Sequence, residues 1–282
     1  MNNFWTRTLT GAVFVTVMMG CIWWSFWSMA GLFLVISVLG LWEFYSLLEE
    51  NNSSPQKITG IIICVFLSAY FLYLVSDNIF SAMFLSYLFW LFIPVSMMIF
   101  FVELFRNKQF PFQNIGYTFL GLLYIQIPFL FLSSLAIKSN VDIKHYQGIF
   151  TPYIILGFFF LIWSNDTFAY LVGISIGKHR LFERHSPKKS WEGFIGGIIC
   201  TQGIAYLLSL YFTELALIHW LVIALIVSVF GTLGDLVESM FKRSLGVKDS
   251  GNILPGHGGI LDRFDGVLLS SPFVVTYLML IR

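Results

Sequence analysis

Three carboxylates of this chain stand where an apolar environment makes them expensive. Asp166 lies in Trp163-Ser-Asn-Asp-Thr-Phe-Ala-Tyr170, Asp235 lies in Gly231-Thr-Leu-Gly-Asp-Leu-Val-Glu-Ser239, and Glu43 interrupts a third apolar run. A central Asp in a membrane helix costs roughly 2.5–3.5 kcal/mol on insertion scales. Such residues usually face a cavity and bind something, or pair with a lysine. Helical spacing puts Asp166 and Tyr170 on one face, continued by Gly173 and Gly177. It puts Gly231, Asp235 and Glu238 on another, with Ser239 one turn past Asp235. The glycines at 173 and 177 also have the spacing of plain helix-packing sites. Glu43 is within two turns of a helix end, close enough to reach water.

A second chemical feature is the polar stretch from Lys242 to Arg263. Lys242, Arg243, Lys248 and Arg263 can neutralise a polyphosphate, and Gly256, Gly258 and Gly259 let backbone N–H groups approach phosphate oxygens. Asp262 and Asp265 are three apart and share a helical face. Hard oxygen ligands beside phosphate-binding cations suit Mg²⁺, which takes carboxylates together with substrate phosphates and water. A shorter basic stretch, Lys178–Glu192, carries Ser186-Pro-Lys-Lys-Ser190. Cys21, Cys64 and Cys200 are scattered in apolar runs with no CxxC or Cys/His grouping, so a zinc site is not indicated.

These residues must be positioned by a chain of 282 residues that is 57% hydrophobic, 18% aromatic and only 11% charged, with a mean hydropathy of +0.81. Soluble domains carry about 25% charged residues, so a soluble enzyme, a disordered chain and a secreted disulfide scaffold are excluded. The net charge of +1 gives no reason to expect a nucleic-acid partner. The apolar N-terminal stretch is too long for a signal peptide's h-region and has no A-x-A site.

A membrane span needs about 20 apolar residues. Leu9–Leu48 is long enough for two, with a break near Gly20 to Ser28 where Trp23, Trp24 and Trp27 suit an interface. Further runs follow at Ile58–Val75, Phe80–Val102, Ile115–Ile137, Tyr153–Ile176, Phe194–Phe212, Leu217–Met240 and Phe264–Ile281. The expectation is an all-α, polytopic integral membrane protein of about nine transmembrane helices. The runs are continuous rather than alternating, which disfavours a β-barrel. With nine spans, 13 of the 16 basic residues fall on one side, leaving Lys138, Lys144 and Arg282 on the other. The positive-inside rule then places the N-terminus and both polar loops in the cytoplasm. The chain reads as a single membrane domain, 1–282, with the helices of 1–137 as scaffold and candidate dimer contacts. Its catalytic helices and loops would be those of 150–282.

The stretch Ser239 to Asp265 resembles the signature of CDP-diacylglycerol synthases, the phosphatidate cytidylyltransferases. The matching positions are Ser239, Lys242-Arg243, Lys248-Asp249, Gly251, Leu254-Pro255, His257-Gly258-Gly259, Asp262-Arg263 and Asp265. The blocks Asn165-Asp166-Thr167, Ser186-Pro-Lys-Lys-Ser-Trp-Glu-Gly193 and Gly234-Asp-Leu-Val-Glu-Ser239 are similar to family blocks too. So is Trp42-Glu-Phe44 in the N-terminal half, which otherwise matches only in hydropathy. Ser190 departs from the more usual Thr and keeps the hydroxyl.

The resemblance implies that CTP and phosphatidic acid give CDP-diacylglycerol and pyrophosphate, for phospholipid biosynthesis. It also implies a bacterial inner-membrane location, Mg²⁺, a monovalent cation such as K⁺, and a homodimer among membrane lipids. On this reading Asp235 and Asp262 are metal ligands with Asp265 a third or supporting partner. Lys242, Arg243, Lys248 and Arg263 bind phosphates, and His257 donates to phosphate or protonates the leaving group. Lys188, Lys189 and Ser190 contact triphosphate or lipid headgroup, and Asn165 and Asp166 serve a metal or the cytidine ribose. Ser239, Asp249, Gly258 and Gly259 complete the substrate-binding set. The alternative is a CTP-dependent lipid kinase of the dolichol or phytol type. A CDP-alcohol phosphatidyltransferase is disfavoured because Asp265-Gly266 is followed by Val-Leu-Leu. A transporter has no evident use for a glycine-rich basic loop.

Overall fold

The computed structural model describes residues 3–76, 84–138, 149–184, 186–251, 253 and 258–281. Among the described residues nine continuous helical segments follow one another: α1 Asn3–Trp24, α2 Phe26–Glu50, α3 Lys57–Ser76, α4 Phe84–Arg106, α5 Pro111–Ser134, α6 Tyr153–Ile176, α7 Trp191–Tyr211, α8 Leu217–Ser244 and α9 Leu261–Ile281. Six of them, α2 and α5 to α9, are long and apolar enough to cross a membrane, whereas Thr8–Trp24 and Lys57–Leu72 are shorter apolar helices. Two short antiparallel strand pairs interrupt the all-α pattern: β1 Ile137–Lys138 with β2 Ile149–Phe150, and β3 Arg180–Phe182 with β4 Ser186–Ser190.

The chain forms two compact units. One comprises Met1–Thr151 and Ser250–Leu261, the other Pro152–Asp249 and Asp262–Arg282. In the first unit, the long apolar run of α1 and α2 breaks at Ser25, whose extended backbone starts a new helix. The Ser25 and Ser28 side chains each accept the other's backbone N–H at 3.1 Å, a reciprocal cap. Trp23, Trp24 and Trp27 cluster around this break and are exposed, as amphipathic rings at a membrane–water boundary are. The core of this unit is aliphatic and aromatic, with Phe33, Phe44, Tyr45, Phe71 and Phe129 all buried. A single π turn at Leu122–Gln126 lies inside α5. Gln126, its last residue, donates to Ser68 Oγ at 2.8 Å and accepts from the Cys64 thiol at 2.8 Å.

In the second unit, α6 and α7 pack through small residues. A Cβ on Gly193 would lie 2.7 Å from the Ala169 carbonyl oxygen and 3.1 Å from Gly173 Cα, so Gly173 serves helix packing, as its spacing allowed. The basic stretch expected as a loop is instead a hairpin that runs straight into α7. Trp191 N–H bonds the His179 carbonyl, and Ser190 caps α7 by accepting Gly193 N–H at 3.1 Å. Glu192, already helical, accepts the backbone N–H groups of Lys178 (3.0 Å) and His179 (3.2 Å). The longer polar stretch is also shorter than its sequence suggested. Lys242 and Arg243 form the last turn of α8, and Asp262 and Arg263 lie in the first turn of α9. Lys242, Arg243 and Asp262 thereby sit at the helix ends that favour their charges, and Arg263 does not.

Candidate functional site

The second unit gathers most of the predicted site residues. Lys242, one turn after Glu238 on α8, donates to Glu238 at 2.8 Å and to Asp262 Oδ1 at 2.5 Å. Glu238 is 2% exposed and Lys242 and Asp262 are each 11% exposed, so this bridge between α8 and the start of α9 is shielded from solvent. A second ion pair joins the hairpin to α8: Lys189 Nζ lies 2.5 Å from Asp235 Oδ2. Ser239 donates to the other Asp235 oxygen at 3.2 Å. Asp166 interacts electrostatically with Lys189, Asp235 and Arg263, and Asp265 with Asp235, Glu238 and Asp166. Carboxylates from α6, α8 and α9 therefore share one neighbourhood with the cations of the hairpin and the helix ends.

Close helix approach makes this neighbourhood. A Cβ on Gly234 would collide with the main chain of Asp265, with Asp265 C at 3.1 Å and Gly266 Cα at 3.2 Å. Only a residue without a side chain lets α8 pass there, which brings Asp235 and Glu238 beside Asp265.

Other predicted residues lie apart from this cluster or at its edge. Lys188, Lys248 and Asp249 are exposed, and Arg243 donates to the Val247 carbonyl at 3.1 Å, closing the end of α8. Asn165 is buried with its Oδ1 lacking a hydrogen-bond partner. Asp166 is nearly three turns from the end of α6. His257 lies outside the described residues.

Gly258 and Gly259 belong to the first unit. Gly258 has φ +83°, the left-handed region that glycine enters without steric cost. In the same unit Glu43, 4% exposed, accepts Ile260 N–H at 2.9 Å, Leu261 N–H at 3.0 Å and the Ser250 hydroxyl at 3.3 Å. It does not reach water, as its distance from the helix end had suggested. Glu43 was flagged by its apolar setting, but without a role. Glu238 was missed as a site residue; its signal was the Glu–Lys spacing of four on one helix.

Asp166, Asp235, Glu238, Asp262 and Asp265 offer hard carboxylate oxygens, the donor type that suits Mg²⁺, and the Glu238 Oε1 is buried with no hydrogen-bond partner. Among the described residues, no three His, Cys, Asp or Glu side chains converge as a ready-made metal cage.

A sequence model described as the cytidylyltransferase family matches residues 5–281. A phosphatidate cytidylyltransferase of Staphylococcus haemolyticus (strain JCSC1435) is 42% identical over 170 residues, 60% of each chain. One from Staphylococcus aureus (strain COL) is 43% identical over 170 residues, again 60% of each. One from Bacillus subtilis (strain 168) is 43% identical over 175 residues, 62% of each. The chain thus spans about three fifths of the length of these relatives.

Proposed function

The chain belongs to the cytidylyltransferase family, and from that premise we propose that it transfers the cytidylyl group of CTP to phosphatidic acid. The products are CDP-diacylglycerol and pyrophosphate. The observation that carries this reading is the buried bridge of Lys242 to Glu238 and Asp262 beside the Lys189–Asp235 pair. It is an alternation of anions and cations on helices that are apolar elsewhere. A lipid phosphate oxygen attacks the α-phosphorus of CTP, and the bond from that phosphorus to the bridging oxygen of the leaving pyrophosphate breaks. The nucleophile is already anionic, so it needs little help from a base. The difficulty lies in bringing two polyanions together and stabilising charge on the departing group. Lys189, Lys242 and Arg263 answer that need; we also assign Arg243, Lys248, Lys188 and His257 as phosphate-binding groups. Asp235, Asp262 and Asp265 would hold Mg²⁺, which when bound neutralises triphosphate and pyrophosphate charge. A monovalent cation and a homodimer belong to the same proposal.

The same reading has all nine helical segments in a bacterial inner membrane, with the N-terminus, the 178–190 hairpin and the 245–260 loop facing the cytoplasm. That side supplies CTP, and the bilayer supplies the lipid. Single cysteines at Arg184 and Lys248 should then be labelled only from the cytoplasm, and one at Ser139 only from the opposite side. Labelling of the first two from opposite sides would reject this topology.

The direct test of the reaction is incubation of the purified protein with phosphatidic acid, Mg²⁺ and labelled CTP, followed by lipid extraction. Label from the α-phosphate should enter the lipid, and label from the γ-phosphate should leave as pyrophosphate. γ-Label in lipid would establish a CTP-dependent lipid kinase instead.

A further inference from the structure

The hairpin of β3 and β4 is too small to hold its own shape. Its two strands pair at Arg180 with Ser190 and at Phe182 with Ser186, and a lone two-stranded hairpin is marginal in water. Its base, however, is fastened on both sides within the second unit. Glu192, in the first turn of α7, turns its carboxylate back to the chain that enters the hairpin. Oε2 accepts Lys178 N–H at 3.0 Å and His179 N–H at 3.2 Å, and the His179 ring nitrogen Nδ1 lies 2.6 Å from Oε1. Bonds to a charged acceptor are roughly twice as strong as neutral ones, and the helix dipole favours an anion at this end of α7. On the strand that leaves the hairpin, Ser190 is 5% exposed and its hydroxyl is taken up by the α7 cap. A Cβ would stand 2.5 Å from its Oγ at Gly177, 3.1 Å at Gly193 and 3.3 Å at Gly173, so three glycines make the notch it sits in. The hydroxyl expected to meet substrate is thus turned into the protein. Lys189 is the residue before it. Its ammonium lies 2.5 Å from Asp235 and its side chain is 27% exposed, whereas Lys188, on the other face of the strand, is exposed. A lysine is a point charge on a flexible four-carbon stem, so its backbone must be held if the charge is to rest in one place.

We infer that Glu192 is a positioning residue for Lys189. Its carboxylate ties the entry of the hairpin to the start of α7, so that β4 leaves the helix at one angle and delivers the Lys189 ammonium beside Asp235 before any phosphate arrives. This rests on the reading of Lys189 as a phosphate-meeting group in the proposed transfer. Pre-organisation of this kind lowers the ordering cost of binding. Glu192 itself touches neither Asp235 nor substrate; its effect on turnover passes through one lysine.

The experiment compares the purified full-length wild-type protein with Glu192→Ala, Glu192→Gln and Lys189→Ala. Amine acetylation, read residue by residue by mass spectrometry, needs no activity. Lys189 should react several-fold more slowly than exposed Lys188 in the wild type, and the gap should close in Glu192→Ala. In kinetics, Glu192→Ala should lower kcat/KM about tenfold, but less than about twofold in the Lys189→Ala background, where the tether has no lysine left to place. The KM that rises, for CTP or for phosphatidic acid, should be the same one in Glu192→Ala and Lys189→Ala, and it identifies whose phosphate Lys189 meets. Equal losses in both backgrounds, or unchanged labelling of Lys189, would mean a merely structural carboxylate and would overturn the inference. Glu192→Gln keeps an oxygen that accepts the Lys178 and His179 N–H groups and should restore most of the activity. Gln as poor as Ala would show that charge, not the tether, matters, and would overturn the inference as well. If Glu192→Ala does not fold, Glu192→Asp, one methylene shorter, takes its place, and wild-type labelling of Lys189 in that variant refutes the inference by itself. A wild-type protein that makes no CDP-lipid would defeat the proposed reaction, and the labelling comparison would still decide whether Glu192 holds Lys189.

Discussion

In the first unit Glu103 is nearly as buried as Glu238 of the second, at 4% against 2% exposure, but it is surrounded by its complement. Its oxygens accept from Gln56 (2.8 Å), Arg106 (2.8 Å) and Asn114 (2.9 Å), and Arg106 also donates to the Ser54 carbonyl at 2.9 Å. One anion meets one cation, and the neutral partners fill the remaining sites. In the second unit Asp166, Asp235, Glu238, Asp262 and Asp265 share their neighbourhood with Lys189, Lys242 and Arg263. Five carboxylates face three cations there, and a buried oxygen of Glu238 is left without a hydrogen-bond partner. A cluster that only held helices together would be balanced, because uncompensated charge in a low-dielectric setting is destabilising. The first cluster has the character of a lock between α4, α5 and the turn that leads into α3. Under the proposed function, the second is a site that a bound cation would complete.

The contrast breaks most easily at Asp235 and Asp262. Asp235→Asn and Asp262→Asn keep size and remove charge. Each should lower kcat by at least about 10²-fold, the scale of one main electrostatic stabiliser of the transition state. Folding should survive a loss of about 1–3 kcal/mol, since Lys189 stays partly exposed to solvent and Lys242 keeps Glu238. Initial rates at limiting Mg²⁺ check this. Near wild-type turnover in both would leave Asp166 and Asp265 as the candidate ligands and make the imbalance a structural accident.

Next in size is Gly234→Ala. The added methyl meets the main chain of Asp265, so α8 and α9 must part. Overpacking of this kind costs about 1–3 kcal/mol. Because the displaced elements carry Asp235, Glu238 and Asp265, turnover should fall about tenfold in the protein that remains folded. Rates per folded molecule, with folding followed by gel filtration in detergent, measure it. Unchanged rates would mean that helix spacing does not set the carboxylate geometry.

How much of this was legible beforehand differs between the two clusters and between types of element. Continuous apolar runs marked every helical segment, because in a bilayer the chain must be both apolar and helical over its spans. Helix ends were misread where polar residues prolong the helix: Trp191-Glu192 at the start of α7 and Lys242-Arg243 at the end of α8 satisfy caps and dipole rather than hydropathy. The 180–190 hairpin had no alternating pattern to betray it, since its Ser-Pro-Lys-Lys-Ser strand is polar throughout. Asp235, Asp262, Lys189 and Lys242 stood out by family spacing, but nothing in one sequence says which lysine meets which aspartate. Glu43 was visible as a charge out of place. Its partner Ser250 lies 207 residues further on, a separation that only the tertiary fold resolves. The Glu103 cluster drew no attention, because a carboxylate at the end of an apolar run, with Arg106 one turn away, looks like a solvated helix end.

The balanced cluster should therefore answer to stability alone. Glu103→Gln strands Arg106 and turns an acceptor of three hydrogen bonds into a mixed donor. Losing a charged partner in a buried network costs about 1–3 kcal/mol, which corresponds to a fall of several degrees in Tm. The KM values and kcat per folded molecule should be unchanged. Thermal melting monitored alongside kinetics at a permissive temperature separates the two. A shift in the KM for CTP would show that this cluster is also part of the site.

The smallest effect is expected at Glu183, which sits exposed between β3 and β4 among Arg180, Arg184 and Lys188. Glu183→Gln changes the net charge of the hairpin by one unit without touching Lys189 or its bond to Asp235. Exposed charges are screened beyond about 8 Å at physiological ionic strength, and surface substitutions of this kind usually stay within about 0.5 kcal/mol. If paired charges in the carboxylate cluster govern catalysis, kcat and both KM values should remain within about twofold of wild type, and salt titration should move both proteins alike. If the overall positive charge of the hairpin instead draws CTP or the lipid headgroup in, removing this carboxylate should lower KM at low salt and lose that advantage at high salt. Kinetics of Glu183→Gln at two ionic strengths thus decides whether the hairpin contributes its summed field or one lysine in one place.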